Sequence, residues 1–438
     1  MDQAELKKLY QEHIAQLQQS YGQALEAGGF AAVAIHSGYA AKKTRFDDNY
    51  WPFRATPIFQ HWLPLTEPDC ALVLAPGQKP KLIRPKNINF WEKPAPPEHD
   101  YFWDSFEVVD TQRPDEAKYH VRGRVAFIGD DEKAALSWGL QGELVNWEDL
   151  LTALDQLRVK KTPYEIACLA EANRRAAEGH VALREAFLKG DQAELDLHLL
   201  YLGTTRQSEA DSPYQNIVAL DKHAATLHHV SYDKHARPAQ TMLLDAGAAF
   251  AGYCSDITRT YWKGAGGQVD LFRQLVEGVE SLQQKSCENV SVFKPYEELH
   301  DESHYLVAGV LRELGICKVT RDEAVANGIT RAFFPHGLGH SLGLVCHDVG
   351  CALVKPKVDN PFLRNTSMMA PGQVFTIEPG IYFIDGLLQP LREGSRSGDI
   401  DWGTVDALAP LGGVRIEDDV LVNKEGEGIR NFTREVLP

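Results

Sequence analysis

Basic residues are scarce relative to acidic ones in this sequence of 438 residues. There are 45 lysines and arginines against 61 aspartates and glutamates, which gives a formal net charge of −16. Binding to nucleic acid or to an anionic membrane depends on clustered positive charge that releases counterions. We therefore expect neither as a partner, and an anionic substrate would need local arginines acting against this overall field.

Paired cysteines and long apolar runs are also missing. The seven cysteines are odd in number and scattered, without a CxxC pair, which excludes a disulfide framework and fits a reducing compartment. The N-terminal stretch lacks the basic and apolar regions of a signal peptide. No apolar run approaches the roughly 20 residues that a membrane span needs. We expect a cytoplasmic protein.

The length predicts two domains. The first, residues 1–159, begins with an amphipathic helix whose apolar positions run from Leu6 to Leu25 and which ends at the glycine pair 28–29. Strand-like runs follow, beginning with "FAAVAIHSG", and they alternate with turns and helical stretches. This pattern indicates a small α/β domain.

A second helix start marks the domain boundary. Thr162 is the expected N-cap, Pro163 the first helical residue and Glu165 the third, which together form a capping box with a preset first turn. We expect the helix to run to Gly190 and the second domain to occupy residues 160–438.

Four acids stand in β-prone apolar runs of the second domain, where core residues are expected. They are Asp245 in "LLDAG", Asp256 in "CSDIT", Glu378 in "TIEPG" and Glu417 in "RIEDD". The first two fall on what we interpret as two strands joined by a turn near residues 249–252, so they can be neighbours in space. Buried carboxylates are costly unless they are paired, protonated or bound to a metal.

Three histidines lie close together in "FFPHGLGHSLGLVCHDVG", at positions 336, 340 and 347. The glycines between the first two argue against a helix and favour an irregular strand or turn near a ligand. One histidine with four acids makes an oxygen-rich site that suits Mn²⁺, Co²⁺ or Zn²⁺. The implied chemistry is hydrolysis by a metal-bridged hydroxide.

The order of these residues, with "DAG…SDITRT", "HGLGHSLGLVCHDVG", "TIEPGIY" and "GGVRIED", resembles the metal-dependent pita-bread peptidases. Within that family nearly the whole chain is similar to the bacterial prolidases, which are Xaa-Pro dipeptidases, and to the related organophosphorus acid anhydrolases. The resemblance implies a C-terminal pita-bread domain, in which helices cover a curved antiparallel sheet, behind the small N-terminal α/β domain.

The resemblance also implies a dinuclear site, most simply of two Mn²⁺ ions. Its ligands would be Asp245, Asp256, His340, Glu378 and Glu417. Glu417 would bridge both ions, and the hydroxyl of Thr258 would support the site.

Further roles follow from the resemblance alone. His228 and His347 would act near the scissile carbonyl, Glu378 would shuttle a proton, and Arg415 and Arg364 would hold the dipeptide carboxylate. The remaining substrate-binding candidates are His336, Tyr214 and Tyr296. Relatives often have His-Tyr where this chain has His228-His229, which changes the pocket surface.

Hydrolysis of Xaa-Pro dipeptides is the function that the resemblance implies, with hydrolysis of organophosphorus esters as a side activity. Two alternatives stay open at this point. An aminopeptidase P shares the fold and the ligands but acts on longer peptides, and some pita-bread proteins bind without catalysis. A homodimer in which the partner helps to close the site is also implied.

Overall fold

The computed structural model describes residues 2–86 and 96–438. The chain divides into two compact units, Met1–Cys168 and Leu169–Pro438. Within the described parts of both units, no helix combines the length and apolarity needed to cross a membrane.

The first unit is a small α/β unit built on one five-stranded sheet. The sheet order is β4-β3-β2-β1-β5, in which β1 pairs with β5 and β3 with β4 in parallel, and the other neighbours are antiparallel. Its elements are α1 (Gln3–Ala27), β1 (Ala32–His36), α2 (Pro57–Gln60), β2 (Ala71–Leu74), β3 (Lys81–Pro85), β4 (Glu107–Thr111), β5 (Val125–Ile128), α3 (Glu132–Ser137) and α4 (Glu148–Val159).

Helix α1 confirms the predicted amphipathic helix. Asp2 caps its N-terminus by accepting a hydrogen bond from the backbone N–H of Ala4, and Gly28 ends it. The stripe that begins at Leu6 and ends at Leu25 is buried, because a period near 3.6 places these residues on one face. The apolar face of α1 therefore forms part of the core of the first unit.

Helix α5 (Pro163–Lys189) begins at the predicted capping box. The backbone N–H of Thr162 donates to Glu165 Oε2 at 2.7 Å, and the backbone N–H of Glu165 donates to Thr162 Oγ1 at 3.4 Å. Reciprocal bonds of this kind satisfy two of the unpaired N–H groups at a helix start. The division between the two compact units falls inside α5, six residues after its N-cap.

The second unit combines short antiparallel strands with helices. Its elements after α5 are α6 (Glu194–Thr205), β6 (Ile217–Leu220), β7 (Thr241–Asp245), β8 (Ala249–Phe250), β9 (Tyr253–Cys254), β10 (Thr258–Trp262), α7 (Gly267–Glu288), α8 (Tyr296–Glu313), α9 (Arg321–Ala326), α10 (Ile329–Phe333), β11 (Val374–Ile377), β12 (Gly380–Ile381), α11 (Asp385–Glu393), α12 (Trp402–Leu408), β13 (Val414–Arg415), β14 (Asp418–Val422), β15 (Ile429–Asn431) and α13 (Phe432–Val436). Apolar residues of α7 and α8 share one core with residues of β11, β13 and β14.

Two three-stranded sheets, β10-β7-β6 and β11-β14-β15, carry the chain segments that matter for the site. Strands β7 and β10 pair as predicted, but the chain between them forms an additional inner hairpin, β8–β9. Ala251 and Gly252 turn this hairpin with φ angles of 51° and 89°. Asp256 consequently precedes β10 instead of lying within it.

Candidate active site

Four acidic side chains meet where strands of the second unit begin or end. Asp245 is the last residue of β7, and Asp256 lies two residues before β10. Glu378 directly follows β11, and Glu417 directly precedes β14. Thr258 pairs with Asp245 in the β7–β10 ladder and with Glu417 through an isolated bridge. This register makes neighbours of segments that are far apart in sequence.

The glycine-rich segment that carries His340 runs beside β11. The backbone N–H of Thr376 donates to the carbonyl of His340 at 2.9 Å. A Cβ on Gly339 would lie 2.1 Å from the Thr376 carbonyl oxygen, so only glycine permits this approach. The close pairing places His340 Nε2 at 3.4 Å from Asp256 Oδ2 and at 3.6 Å from Glu378 Oε1.

The site contains buried oxygen and nitrogen atoms that could bind a metal ion, and not all of them take part in hydrogen bonds. Asp256, His340 and Glu417 each present a ligand atom, and the three atoms lie within 4.8 Å of one another. Asp245 Oδ1 is buried and has no hydrogen-bond partner among the described residues. A buried, unpartnered carboxylate oxygen on an acid whose charge interacts with Asp256 fits a nearby bound cation.

The pKa shifts in the site also favour a bound cation. Burial raises the pKa of Asp245, raises that of Glu378 to about 7, and together with the neighbouring acids raises that of Glu417 well above its usual range. Burial also disfavours charge on Asp256 and His340. Their mutual attraction outweighs it, lowering the pKa of Asp256 and raising that of His340 to about 9. Crowded carboxylates of this kind take up protons or hold a divalent cation.

Neighbouring hydroxyl and thiol groups orient these acids. The Thr258 hydroxyl donates to Glu417 Oε2 at 2.7 Å. The Tyr214 hydroxyl and the Cys346 thiol donate to the two oxygens of Asp256 at 2.6 Å and 2.8 Å. Tyr214 was predicted as a substrate contact, and in this structure its hydroxyl contacts a candidate metal ligand.

Arg415 is buried and already bonded within the site. Its Nη2 donates to Asp245 Oδ2 at 2.5 Å, its Nε to Thr258 Oγ1 at 3.2 Å and its Nη1 to the Tyr382 hydroxyl at 3.0 Å. Three of the five guanidinium N–H groups are therefore engaged in the described contacts. The arrangement orients Asp245 and the Tyr382 ring.

The predicted substrate histidines lie near His340, Tyr382 and one another. The rings of His340 and His347 lie 4.4 Å apart, and His347 is exposed. His336 Nε2 lies 2.8 Å from the Tyr382 hydroxyl. Burial lowers the pKa of His347 to about 4 and that of His336 to about 3, and exposed His228 contributes to both shifts. The rings of His336 and His347 are therefore neutral near pH 7.

The two remaining predicted residues differ in exposure. Arg364 is exposed, and its charge contributes to the lowered pKa of His347, so the two side chains are close. Tyr296 is fully buried, and its hydroxyl donates to the Thr376 carbonyl at 2.8 Å while its ring packs against Phe375. Tyr296 thus supports β11 from behind, away from any accessible surface.

Cys346 and Tyr382 are site residues that the sequence reasoning missed. Cys346 directly precedes His347, and Tyr382 lies in the same "TIEPGIY" segment as Glu378. The available signal was that each lies close in sequence to a residue predicted for the site. Nothing in the local pattern indicated that the thiol would reach Asp256 or that the phenol would join His336 to Arg415.

Comparisons with known proteins agree with this geometry. Residues 167–424, more than half of the chain, match the model of metallopeptidase family M24. The chain belongs to this family, and the metal-dependent hydrolase class predicted from the sequence is confirmed. Residues 8–156 match the model described as the N-terminal domain of Xaa-Pro dipeptidase.

Two relatives that match this chain along its full length are named Xaa-Pro dipeptidase. The chain is 40% identical over 438 residues to a Xaa-Pro dipeptidase of Marinobacter nauticus, covering 99% of this chain and 100% of the relative. It is 39% identical over 444 residues to a Xaa-Pro dipeptidase of Pseudoalteromonas atlantica, covering 99% of each.

Solved structures confirm the predicted fold class. Aminopeptidase P from E. coli with the inhibitor Pro-Leu matches with a TM-score of 0.74 at 23% identity, covering 100% of this chain and 96% of that one. Proline aminopeptidase P II from Yersinia pestis gives a TM-score of 0.72 at 23% identity, covering 96% and 97%. The chain therefore has an N-terminal α/β domain followed by a pita-bread domain.

Proposed function

We propose that this protein is a dinuclear, Mn²⁺-dependent peptidase that hydrolyses Xaa-Pro dipeptides. The observation that carries the proposal is the convergence of four strand-end acids and His340 in one buried cluster. Full-length similarity to proteins named Xaa-Pro dipeptidase supports the choice of substrate.

The metal-binding residues in this proposal are Asp245, Asp256, His340, Glu378 and Glu417. Oxygen donors with one imidazole suit Mn²⁺ better than softer metals. Bound divalent cations supply water activation and polarisation of the scissile carbonyl at such a site. Tyr214, Thr258 and Cys346 hold the acids in place through the hydrogen bonds described above, and oriented ligands of this kind bind metal more tightly.

Glu378 is the proposed proton carrier. A carboxylate in contact with the attacking water can accept its proton and return it to the leaving proline nitrogen. In the metal-free protein burial raises the pKa of Glu378 to about 7, and a bound divalent cation would offset that rise. His347 lies against the His340 ring, and as a neutral imidazole it can donate an N–H to the developing oxyanion. Exposed His228 is the second candidate for this contact.

In this proposal Arg364 and Arg415 both bind the dipeptide carboxylate, but in different ways. Arg364 is exposed near His347 and can form a forked pair with the dipeptide carboxylate. Arg415 is buried against Asp245 and Tyr382, and it can contact the same carboxylate only through its remaining N–H groups. His336, fixed by Tyr382, would line the pocket.

Comparing Ala-Pro with Ala-Pro-Ala as substrates, with added Mn²⁺, tests the proposal. We expect the dipeptide to be turned over faster and Asp245→Asn to abolish hydrolysis of both. A preference for the tripeptide would favour an aminopeptidase P, whose solved structures share the fold. Absence of bound divalent metal together with absence of activity would favour a non-catalytic binding protein.

Three further properties stay predictions from the resemblance. They are hydrolysis of organophosphorus esters, a cytoplasmic location and a homodimer whose partner helps to close the site. Sedimentation of the purified protein measures the oligomeric state, and the Mn²⁺-loaded protein can be assayed on an organophosphorus ester in parallel with Ala-Pro.

A further inference from the structure

A second group of metal-ligating side chains lies outside the acidic site. Glu194, the first residue of α6, is fully buried between His223 and His229. His223 Nδ1 lies 2.7 Å from Glu194 Oε1, and His229 Nε2 lies 2.9 Å from Glu194 Oε2. One donor atom from each residue lies within 4.8 Å of the other two. None of their described hydrogen bonds involves an acid of the candidate active site.

Backbone groups hold the Glu194 carboxylate in a fixed orientation. The N–H of Leu220 donates to Oε1, and the N–H of Asp233 donates to Oε2, both at 2.9 Å. Burial acts to raise the pKa of Glu194, but the hydrogen bonds to His229, to these two N–H groups and to His223 outweigh it and lower the pKa to about 2. The carboxylate is therefore an oriented anion at neutral pH, as metal-binding carboxylates commonly are.

The two imidazoles contact the two oxygens of this anion, one ring to each oxygen. Their ring centroids are 4.5 Å apart with an interplanar angle of 30°, and each ring directs one nitrogen at the carboxylate. The Glu194 side chain is 0% exposed, that of His229 is 11% exposed and that of His223 is 25% exposed. Exposure rises toward the outer ring, which leaves a path for an ion and for a water ligand.

We propose that Glu194, His223 and His229 form a separate mononuclear metal site for Zn²⁺ or a similar borderline ion. Two imidazoles and one carboxylate with an open fourth position are a known donor set for zinc. Imidazole-rich sets favour Zn²⁺, Ni²⁺ or Cu²⁺, whereas the four acids around His340 favour harder ions. Binding requires each histidine to be neutral and to keep its proton on the ring nitrogen that faces away from the carboxylate.

Equilibrium dialysis of the full-length protein against Zn²⁺, followed by metal analysis, tests this proposal. The informative variant is the double substitution His223→Asn/His229→Gln. His235→Asn is the matched control, because His235 is an exposed histidine of the same chain segment. We expect the wild type and the control to retain one equivalent of Zn²⁺ more than the double variant. With Co²⁺ as the probe, the double variant should lose a visible absorption band of low-coordinate cobalt that the control keeps.

The difference between wild type and variant decides the outcome, so the result does not depend on how many ions the acidic site holds. Equal Zn²⁺ content in the wild type and the folded double variant would overturn the proposal and leave a hydrogen-bonded cluster only. Should the double variant not fold, the single variant His223→Asn, at the more exposed position, replaces it. Its Zn²⁺ affinity at this site should fall more than about 100-fold, and unchanged affinity would again overturn the proposal.

Discussion

Replacing Gly339 by alanine should disable the candidate active site without unfolding the protein. The added Cβ would lie 2.1 Å from the Thr376 carbonyl oxygen and 2.5 Å from the Tyr296 hydroxyl. Real Cβ atoms essentially never come within 3.0 Å of such neighbours, so the segment must move away from β11. A shift of about 1 Å in the placement of a catalytic group can cost about 100-fold in rate. His340 follows Gly339 directly, so its imidazole moves with the displaced segment.

The assay is hydrolysis of Ala-Pro in the presence of Mn²⁺, with urea unfolding measured in parallel. We expect kcat/KM of Gly339→Ala to fall about 100-fold, and the free energy of unfolding to fall by about 1–3 kcal/mol, as for other overpacked sites.

Gly337→Ala is the matched control, because its nearest contacts would be Leu363 Cα and the Phe362 carbonyl oxygen at 3.1 Å. It should lose less activity than Gly339→Ala, because its neighbours need to give by only a few tenths of an ångström. Retention of nearly full activity by Gly339→Ala, or equal losses in both variants, would refute the reasoning.

Other predictions concern charge, metal binding and pH. In metal-free protein, Glu417→Gln should raise the urea concentration at the midpoint of unfolding, since burial and neighbouring acids raise the pKa of Glu417. A lowered midpoint would contradict this expectation. Hydrolysis by the same variant with Mn²⁺ should fall more than about 100-fold. Cys346→Ala should weaken Mn²⁺ binding about tenfold by calorimetry, whereas Cys346→Ser, which keeps a donor to Asp256, should not. Burial lowers the pKa of His304 to about 3. The free energy of unfolding is therefore at its full value above about pH 6.5, the ordinary histidine pKa. It should fall by about 3 kcal/mol by about pH 4, because the unfolded chain takes up a proton that the buried ring does not. His304→Gln should flatten the pH dependence of unfolding over that range, and an unchanged slope would contradict the assignment.

Local patterns predicted the elements that depend on neighbouring residues. The capping box at Thr162 and Glu165 formed with both reciprocal bonds, because both partners lie within one helical turn. The acids at 245 and 256 came together because β-prone apolar runs on both sides of one turn pair as neighbouring strands. The inner hairpin β8–β9 escaped the prediction, since its strands have two residues each and carry almost no periodic signal.

Contacts between distant segments were beyond the reach of the pattern. Cys346 and Asp256 are 90 residues apart, and Arg415 and Asp245 are 170 apart. An arginine in an apolar strand indicates a buried partner, but it does not identify which of several acids that partner is. The placement of Tyr296 behind β11 depends likewise on how helix α8 packs, which a single tyrosine cannot reveal.

The bridge between Thr258 and Glu417 joins residues 159 positions apart. Closing a loop of that length costs an unfolded chain about 4–5 kcal/mol of conformational entropy. An ion held by acids from both ends of this loop therefore also acts as a removable cross-link. Resistance to unfolding should then follow the concentration of free metal, so that the supply of the ion controls the lifetime of the protein as well as its activity.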